Sequence, residues 1–262
     1  MCRLLAYFSS QEKILYDIIW NYEHSIIKQS YLPTYTPYLK KSSLNCDINI
    51  DGFGIGWKNS QDLQFYSYKH TIPIRNDINL KNILKNIKSK CLFVHLRANT
   101  LNLCAPLSMM NTHPFIINNY MWMHNGKIGN FNNLKKILLS SMDDDIFSAV
   151  KGNTDSEYCF GLFLTFLKKY DKIKAMRKLI QFIKINKIEA FLNFVVGNND
   201  WILATRSCVN TNRDAISLYY NPNLKMISSE PLEKGKTKEW KLVPKNTIIL
   251  LESNKFLIKK IY

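Results

Sequence analysis

A cysteine follows the initiator methionine directly, as Met1-Cys2-Arg3-Leu4-Leu5. It is small enough for Met1 to be trimmed, which would leave a thiol and a free α-amine on one residue. An α-amine titrates at ~7.7–8.0 and a cysteine thiol at ~8.5, so the amine can act as a local base for its own thiol. On this stretch alone, Cys2 is equally a packed apolar second residue. Three later stretches carry side chains of complementary chemistry: His95-Leu96-Arg97-Ala98, His124-Asn125-Gly126 and Gly152-Asn153-Thr154-Asp155-Ser156-Glu157. Each has a plain structural reading. Arg97 on a buried strand can close an internal ion pair. Asn-Gly is the commonest hairpin signal. Asp155 can cap a helix, with Thr154 and Ser156 competing, and Glu157 can support the first-turn dipole.

The elements that must position these residues are legible from periodicity. Residues 3–8 are mostly apolar and read as a buried strand, so the chain start is held inside the fold. Ser9 and Glu12 fit a capping box, and Ile14, Leu15, Ile18, Ile19, Tyr22, Ile26 and Ile27 fall at helical spacing. An amphipathic helix is expected to about Gln29, interrupted near His24-Ser25. Residues 51–57 alternate glycine with bulky apolar residues, as Asp51-Gly52-Phe53-Gly54-Ile55-Gly56-Trp57. This is not a dinucleotide loop, because no helix with a downstream ribose-binding acid follows. It reads as a strand whose glycine face lies close to another backbone, joined through 59–62 to a second strand at 64–69. A polar helix at 80–88 leads to a buried strand at 91–97, which Arg97 closes. A strand at 120–123 runs straight into His124. A helix at 131–139 follows, then a turn at 152–157 feeding a long helix. Strands are expected at 194–196, 201–205, 216–220, 225–228 and 247–251, with Asn198-Asn199-Asp200 and Asn221-Pro222-Asn223 as hairpin turns. Helices sit centrally and strands at both ends, which suggests packed sheets with helices outside, in one domain.

Composition narrows the classes. The 262 residues are 46% hydrophobic and 21% charged, ordinary values for a globular chain. No apolar run approaches the ~18–20 residues that span a bilayer, so no membrane partner is expected. The net charge is +16, but lysines are spread along the whole chain. No basic run is interleaved with stacking aromatics, and no nucleic-acid-binding signature is present, so nucleic acid is not the expected partner. Cys2, Cys46, Cys91, Cys104, Cys159 and Cys208 are widely spaced and include no C-x-x-C. This argues against a zinc site and against a disulfide scaffold. No targeting segment is visible, and a cytoplasmic location is expected. No metal and no cofactor are called for.

Taken in order, these motifs resemble the class II glutamine amidotransferases, the N-terminal-nucleophile (Ntn) hydrolases that begin with cysteine. Three further stretches carry the resemblance: residues 51–57, Asn111-Thr112-His113-Pro114-Phe115, and Ser228-Ser229-Glu230-Pro231-Leu232 with Trp240 after it. The likeness spans essentially the whole chain. It is nearest to small stand-alone members that resemble the γ-glutamyl hydrolase of ergothioneine synthesis and the amidotransferase-like subunit of glutathione degradation. The resemblance implies an α+β fold, a four-layer αββα Ntn-hydrolase sandwich of two mostly antiparallel sheets. It implies one domain over 1–262 after removal of Met1. It makes Cys2 the nucleophile with its own α-amine as base. Asn125 and Gly126 become oxyanion donors, aimed at one oxygen if the strand ends there in a tight turn. Arg97 binds the substrate carboxylate as a planar fork and Asp155 its ammonium. Thr100 and Trp57 line the pocket, and His113 and His124 shape it. The implied substrate is glutamine or a γ-glutamyl small molecule. The arginine motif, Arg97-Ala98-Asn99-Thr100, lacks the glycine that often follows. No ammonia-using domain is visible, so either water takes the acyl group or a separate protein partner receives the ammonia. The alternative is a non-catalytic or partner-dependent subunit of an amidotransferase or peptidase complex.

Overall fold

The first strand sets the layering because both of its faces are apolar. Leu5 and Tyr7 point one way, Leu4, Ala6 and Phe8 the other, and all five are buried. With a side-chain period of two, such a strand must be covered on both sides. The computed structural model describes residues 2–35, 49–59, 61, 64–98, 106–234, 237–253 and 255–262. In it β1 (Arg3–Ile14) is followed by α1 (Leu15–Ile19) and α2 (Ile26–Gln29), then β2 (Phe53–Lys58), β3 (Phe65–His70), α3 (Leu80–Lys85) and β4 (Lys88–Leu96). The middle comprises β5 (Phe115–Ile117), β6 (Tyr120–Ile128), α4 (Phe131–Ser140), α5 (Asp144–Ala149), α6 (Asp155–Leu167) and α7 (Lys172–Ile185). The last third holds β7 (Ala190–Gly197), β8 (Trp201–Arg206), β9 (Cys208–Val209), β10 (Tyr219–Asn221), β11 (Met226–Ser228), β12 (Lys241–Leu242), β13 (Thr247–Glu252) and β14 (Lys255–Lys260).

The strands form two sheets. One runs β12-β10-β11-β1-β4-β2-β3 and the other β14-β13-β8-β7-β6-β5, with β9 beside β7. Neighbouring strands pair antiparallel, as at β1–β4 and β6–β7. Three apolar seams hold the layers. Leu4, Phe93, Met121, Met123, Val195 and Ile227 fill the space between the sheets. Leu5, Tyr7, Ile55 and Val94 pack against Ile18 and Leu84 of the first helical layer. Trp122 and Phe194 pack against Phe160, Phe163 and Leu179 of the second. Burying one such side chain contributes ~1.5–3 kcal/mol. Trp122 shows why the second seam is specific, since its ring lies 5.4 Å from Phe160 and 4.5 Å from Phe194. The result is the expected four-layer αββα sandwich of two antiparallel sheets between two helical layers. No helix among the described residues is long and apolar enough to cross a membrane.

Several elements differ from the periodicity reading, among them the expected 216–220 strand, which begins only at Tyr219 as β10. Residues 9–14 continue β1 rather than opening a helix, because β4 reaches down to pair Lys13 with Ser89 and Ile14 with Lys88. The register shifts between Phe8 and Lys13, and Ser9 Oγ accepts the Gln11 N–H at 3.2 Å instead of capping a helix. Pairing to a distant strand outweighed a local capping signal. The long helix after residue 152 is two helices. Asp171 interrupts it by accepting the N–H groups of Ile173 and Lys174, which starts α7 afresh. The asparagine turns are as expected. Asn198 Oδ1 closes the β7–β8 hairpin by accepting from Asp200 and Trp201, and Asn221 Oδ1 closes β10–β11 by accepting from Asn223 and Leu224. Strands β2 and β3 form the expected pair, although 60, 62 and 63 of their connection lie outside the described residues.

Candidate active site

Three adjacent strands end at the same level. Arg3 and Phe53 both pair with Leu96, so Cys2, Arg97 and Gly52 come next on neighbouring chains. The Arg97 N–H donates to Gly52 O at 2.8 Å and carries that row past the strand ends. Leu4 faces the space between the sheets. Cys2, two residues earlier, faces it too, and so does Arg97 beside it. The Cys2 sulfur is seated on Ala98, whose N–H points at Sγ at 3.5 Å while Sγ lies 3.7 Å from Ala98 O. Cys2 is partly exposed, unlike the fully buried Cys91 and Cys159, whose thiols burial pushes up. Arg97 is buried, and burial pulls its guanidinium down. The nearby charges of Cys2 and Asp51 push the other way, favouring the charged form.

The second sheet supplies the opposite wall. His95 Nε2 lies 3.1 Å from His124 O, and a carbonyl can only accept, so Nε2 carries the proton. This hydrogen bond joins the two sheets and sets His124-Asn125-Gly126 level with His95-Leu96-Arg97. Met121 and Met123 face the space between the sheets, and by the same alternation Asn125 does also. Asn125 is buried, and its Nδ2 has no partner among the described residues. An unused buried donor of this kind costs ~1–3 kcal/mol. Gly126 lies within β6, not in a turn. The pairing with β7 continues to Ile128 and Ala190, so the expected tight turn is replaced by an unbroken strand. A Cβ at Gly126 would run into Phe191 O of β7, which explains the glycine by close backbone approach.

Asp155 stands in the first turn of α6. Thr154 is the N-cap, with Oγ1 accepting the Glu157 N–H at 3.1 Å. Asp155 Oδ2 accepts the Ile128 N–H at 2.9 Å and Oδ1 the Ser156 N–H at 2.8 Å, which ties the carboxylate to the end of β6. Glu157 turns back to accept the N–H groups of Lys151 and Gly152, bracing the turn before the helix.

A family model of class II glutamine amidotransferases matches residues 34–220. The chain belongs to this family. A relative described as a probable glutamine amidotransferase, DUG3 of Saccharomyces cerevisiae, is 30% identical over 317 residues, spanning 100% of this chain and 84% of the relative. Among solved structures, a class II domain protein from Silicibacter pomeroyi matches with a TM-score of 0.68 at 19% identity, covering 100% of both chains. The phosphoribosylpyrophosphate amidotransferase of B. subtilis matches with a TM-score of 0.61 at 13% identity, over 100% of this chain and 49% of that one. At such identities these two likenesses speak to the fold.

In this amidotransferase-family chain the structure places Cys2 and Arg97 at the end of one sheet and Asn125 on the inward face of the other, with Gly126 and Asp155 on and beside β6. It does not bring Trp57 there. That ring lies at the far end of β2 from Gly52 and on the opposite sheet face, stacked on Tyr66 at 6.3 Å against the first helical layer. The alternation that turns Gly54 and Gly56 inward turns Trp57 outward. Thr100 lies outside the described residues. The histidines near the cleft are neutral at pH 7. Burial pulls His95 down to about 3, with the Arg97 charge adding to it, and burial likewise lowers His113 and His124.

Sequence reasoning missed the support behind Cys2. Arg3 faces away from the cleft, donates from Nη1 to Cys2 O at 3.2 Å, and places Nη2 3.4 Å from Glu230 Oε1. Glu230 is fully buried, and its Oε2 accepts from His24 at 2.9 Å and from the N–H groups of Thr34 and Tyr35 at 2.8 and 2.9 Å. Ser229 adds a backbone clamp, with its N–H on Leu4 O and its Oγ on the Leu4 N–H, each at 2.9 Å. The available signal was Glu230 itself, a carboxylate in the stretch Ser228-Ser229-Glu230-Pro231-Leu232 next to an expected strand. A buried charge requires a partner, and Arg3 is a basic residue on a buried strand.

Proposed function

We propose that this class II glutamine amidotransferase-family protein is a cysteine amidohydrolase acting on the γ-amide of glutamine or of a γ-glutamyl compound, after removal of Met1. One observation carries the reading. The partly exposed Cys2 thiol is close enough to the Arg97 guanidinium for their charges to interact, and the facing sheet carries the buried, unengaged Asn125 Nδ2. In this reading the Cys2 α-amine takes the thiol proton and the sulfur attacks the γ-carbonyl carbon. The oxyanion is received by Asn125 Nδ2 and the Gly126 N–H. As it collapses, the carbon–nitrogen bond breaks, ammonia or an amine leaves with the proton, and a glutamyl thioester remains on Cys2. Water then adds to the thioester, returning the thiol and releasing glutamate. Arg97 holds the α-carboxylate and Asp155 the α-ammonium. Removing one oxyanion donor typically costs ~2.7–4 kcal/mol of barrier, which sets the scale of Asn125's contribution. Four described cysteines are free thiols, consistent with a reducing, cytoplasmic setting.

The test is intact mass, which should show loss of Met1, followed by labelling with a glutamine-like diazo-ketone. One adduct should map to Cys2 and disappear in Cys2→Ala, and purified protein should release glutamate from glutamine. Labelling that persists in Cys2→Ala sinks the reading. Labelling without turnover would point instead to a subunit that needs a protein partner to receive ammonia or to complete the site.

A further inference from the structure

The amidohydrolase reading leaves His124 and Ser156 without a task, although both are buried against the carboxylate assigned to the substrate ammonium. His124 Nε2 lies 2.8 Å from Phe191 O, and His124 Nδ1 lies 2.9 Å from Ser156 Oγ. A backbone carbonyl cannot donate, so the ring proton sits on Nε2 and Nδ1 is a bare acceptor. Burial holds the imidazole in this neutral form, although the Asp155 charge opposes it. The Ser156 hydroxyl has one proton and two acceptors within reach, Nδ1 at 2.9 Å and Asp155 Oδ1 at 3.1 Å. Only one of them can have it.

We infer that His124 claims the Ser156 hydroxyl proton and so keeps a face of Asp155 open for the α-ammonium of the substrate. Ser156 and His124 are positioning residues in this scheme, and the inference rests on the assignment of Asp155 made above. An ionised carboxylate offers about four acceptor sites. The Ile128 and Ser156 N–H groups occupy one on each oxygen. If the Ser156 hydroxyl also turned to Oδ1, that oxygen would be filled and the ammonium would be left with the one remaining site on Oδ2. With the hydroxyl held by Nδ1, Oδ1 keeps a lone pair for a cationic N–H. The consequence is specificity for an α-amino acid over a carboxylate that lacks the amine.

The experiment compares glutamine with glutaramate, the same molecule without its α-amine. Calorimetry at neutral pH in the full-length Cys2→Ala protein keeps chemistry out of the measurement. Cys2→Ala should bind glutamine more tightly than glutaramate. His124→Phe should cut that preference about tenfold, because the freed hydroxyl turns to Asp155. Ser156→Ala alone should leave the preference near its starting value, and adding it to His124→Phe should restore the preference. A merely structural role for His124 would not be repaired by removing a second group. An unchanged preference in His124→Phe, or no recovery in the double variant, overturns the inference. The ring nitrogen shifts of His124, read by NMR in the unsubstituted protein, give a check that needs neither folding of a variant nor ligand. The Nε2–H tautomer is expected, and an Nδ1–H tautomer overturns the inference by itself. If neither compound binds, the glutamine reading falls while the tautomer still decides the relay.

Discussion

Two residues carry sharp consequences because each is buried and charged or unpaired. Asn125 has a donor with no described partner in the cleft wall. Asn125→Ala removes it with little change in ground-state contacts, so kcat for glutamine should fall about 10²–10³-fold with KM nearly unchanged. A KM effect alone would place Asn125 in binding rather than in oxyanion stabilisation. Glu230 is the second. Burial pushes its carboxyl up, but the His24 hydrogen bond, the Arg3 charge and the Thr34 and Tyr35 N–H groups outweigh burial, and its pKa lies below the ordinary value of 4.5. The folded state thus favours the ionised form. That stability is complete above the unfolded-state value and is lost as pH falls through the lower folded value. Resistance of the native protein to urea should fall further below about pH 4.5, beyond the loss already begun near pH 6.5 by histidines that are buried neutral. Glu230→Gln should cost about 3 kcal/mol at neutral pH and lack that extra acid loss, since Arg3 is left buried without its counter-charge. Parallel pH profiles for the two proteins would remove Glu230 from this role.

Strands, more than helices, build the cleft, and their spacing is set by where side chains are missing. Gly54 lies on the inward face of β2, and a Cβ there would run into His113 O. The segment leading into β5 rests on that bare patch and brings the His113 ring within 4.2 Å of His95. Gly54→Ala therefore forces backbone, not a flexible side chain, to move. Overpacking costs ~1–3 kcal/mol, and a backbone clash belongs at the upper end of that range. Chemical denaturation should show this loss, and Cys2 labelling should slow in the surviving folded protein. Gly54→Ala with native stability would show that β2 and residues 113–114 separate freely. The glycine alternation was readable as a strand lying close to another backbone. Which backbone it meets was not, because residues 54 and 113 are far apart in sequence.

Across the whole molecule, the net charge of +16 opposes compactness. Some lysines are neutralised locally, as Lys168 is by Asp143 and Asp145 and Lys172 by Glu252. Others rest on aromatic faces, such as Lys81 4.7 Å above Trp20. Repulsion among the remainder is long-ranged and therefore screened by salt, with a Debye length falling from ~30 Å at 0.01 M to ~10 Å at 0.1 M. Raising sodium chloride across that range should lift the melting midpoint by about 3 °C, roughly 1 kcal/mol for a chain of this size. A midpoint that is flat or falls would mean that the positive charges are already compensated.

What the sequence by itself determined is local. Cys2 stands at the head of an apolar strand, asparagines close hairpins by hydrogen-bonding residues two and three further on, and the Thr154-Asp155-Ser156 turn opens a helix. These choices depend on neighbours within a few residues, so pattern and propensity are enough. Tertiary structure decided whatever depends on a distant partner. Residues 9–14 became strand because β4 was there to pair with them. Trp57 faced away from the cleft because β2 presents its glycines inward. Asn125 stayed within a strand because β7 runs alongside it. Arg3 found Glu230, more than two hundred residues away, because β11 lies beside β1. A buried charge or an unpaired donor announces that a partner must exist, but only the packed sheets determine which group it is.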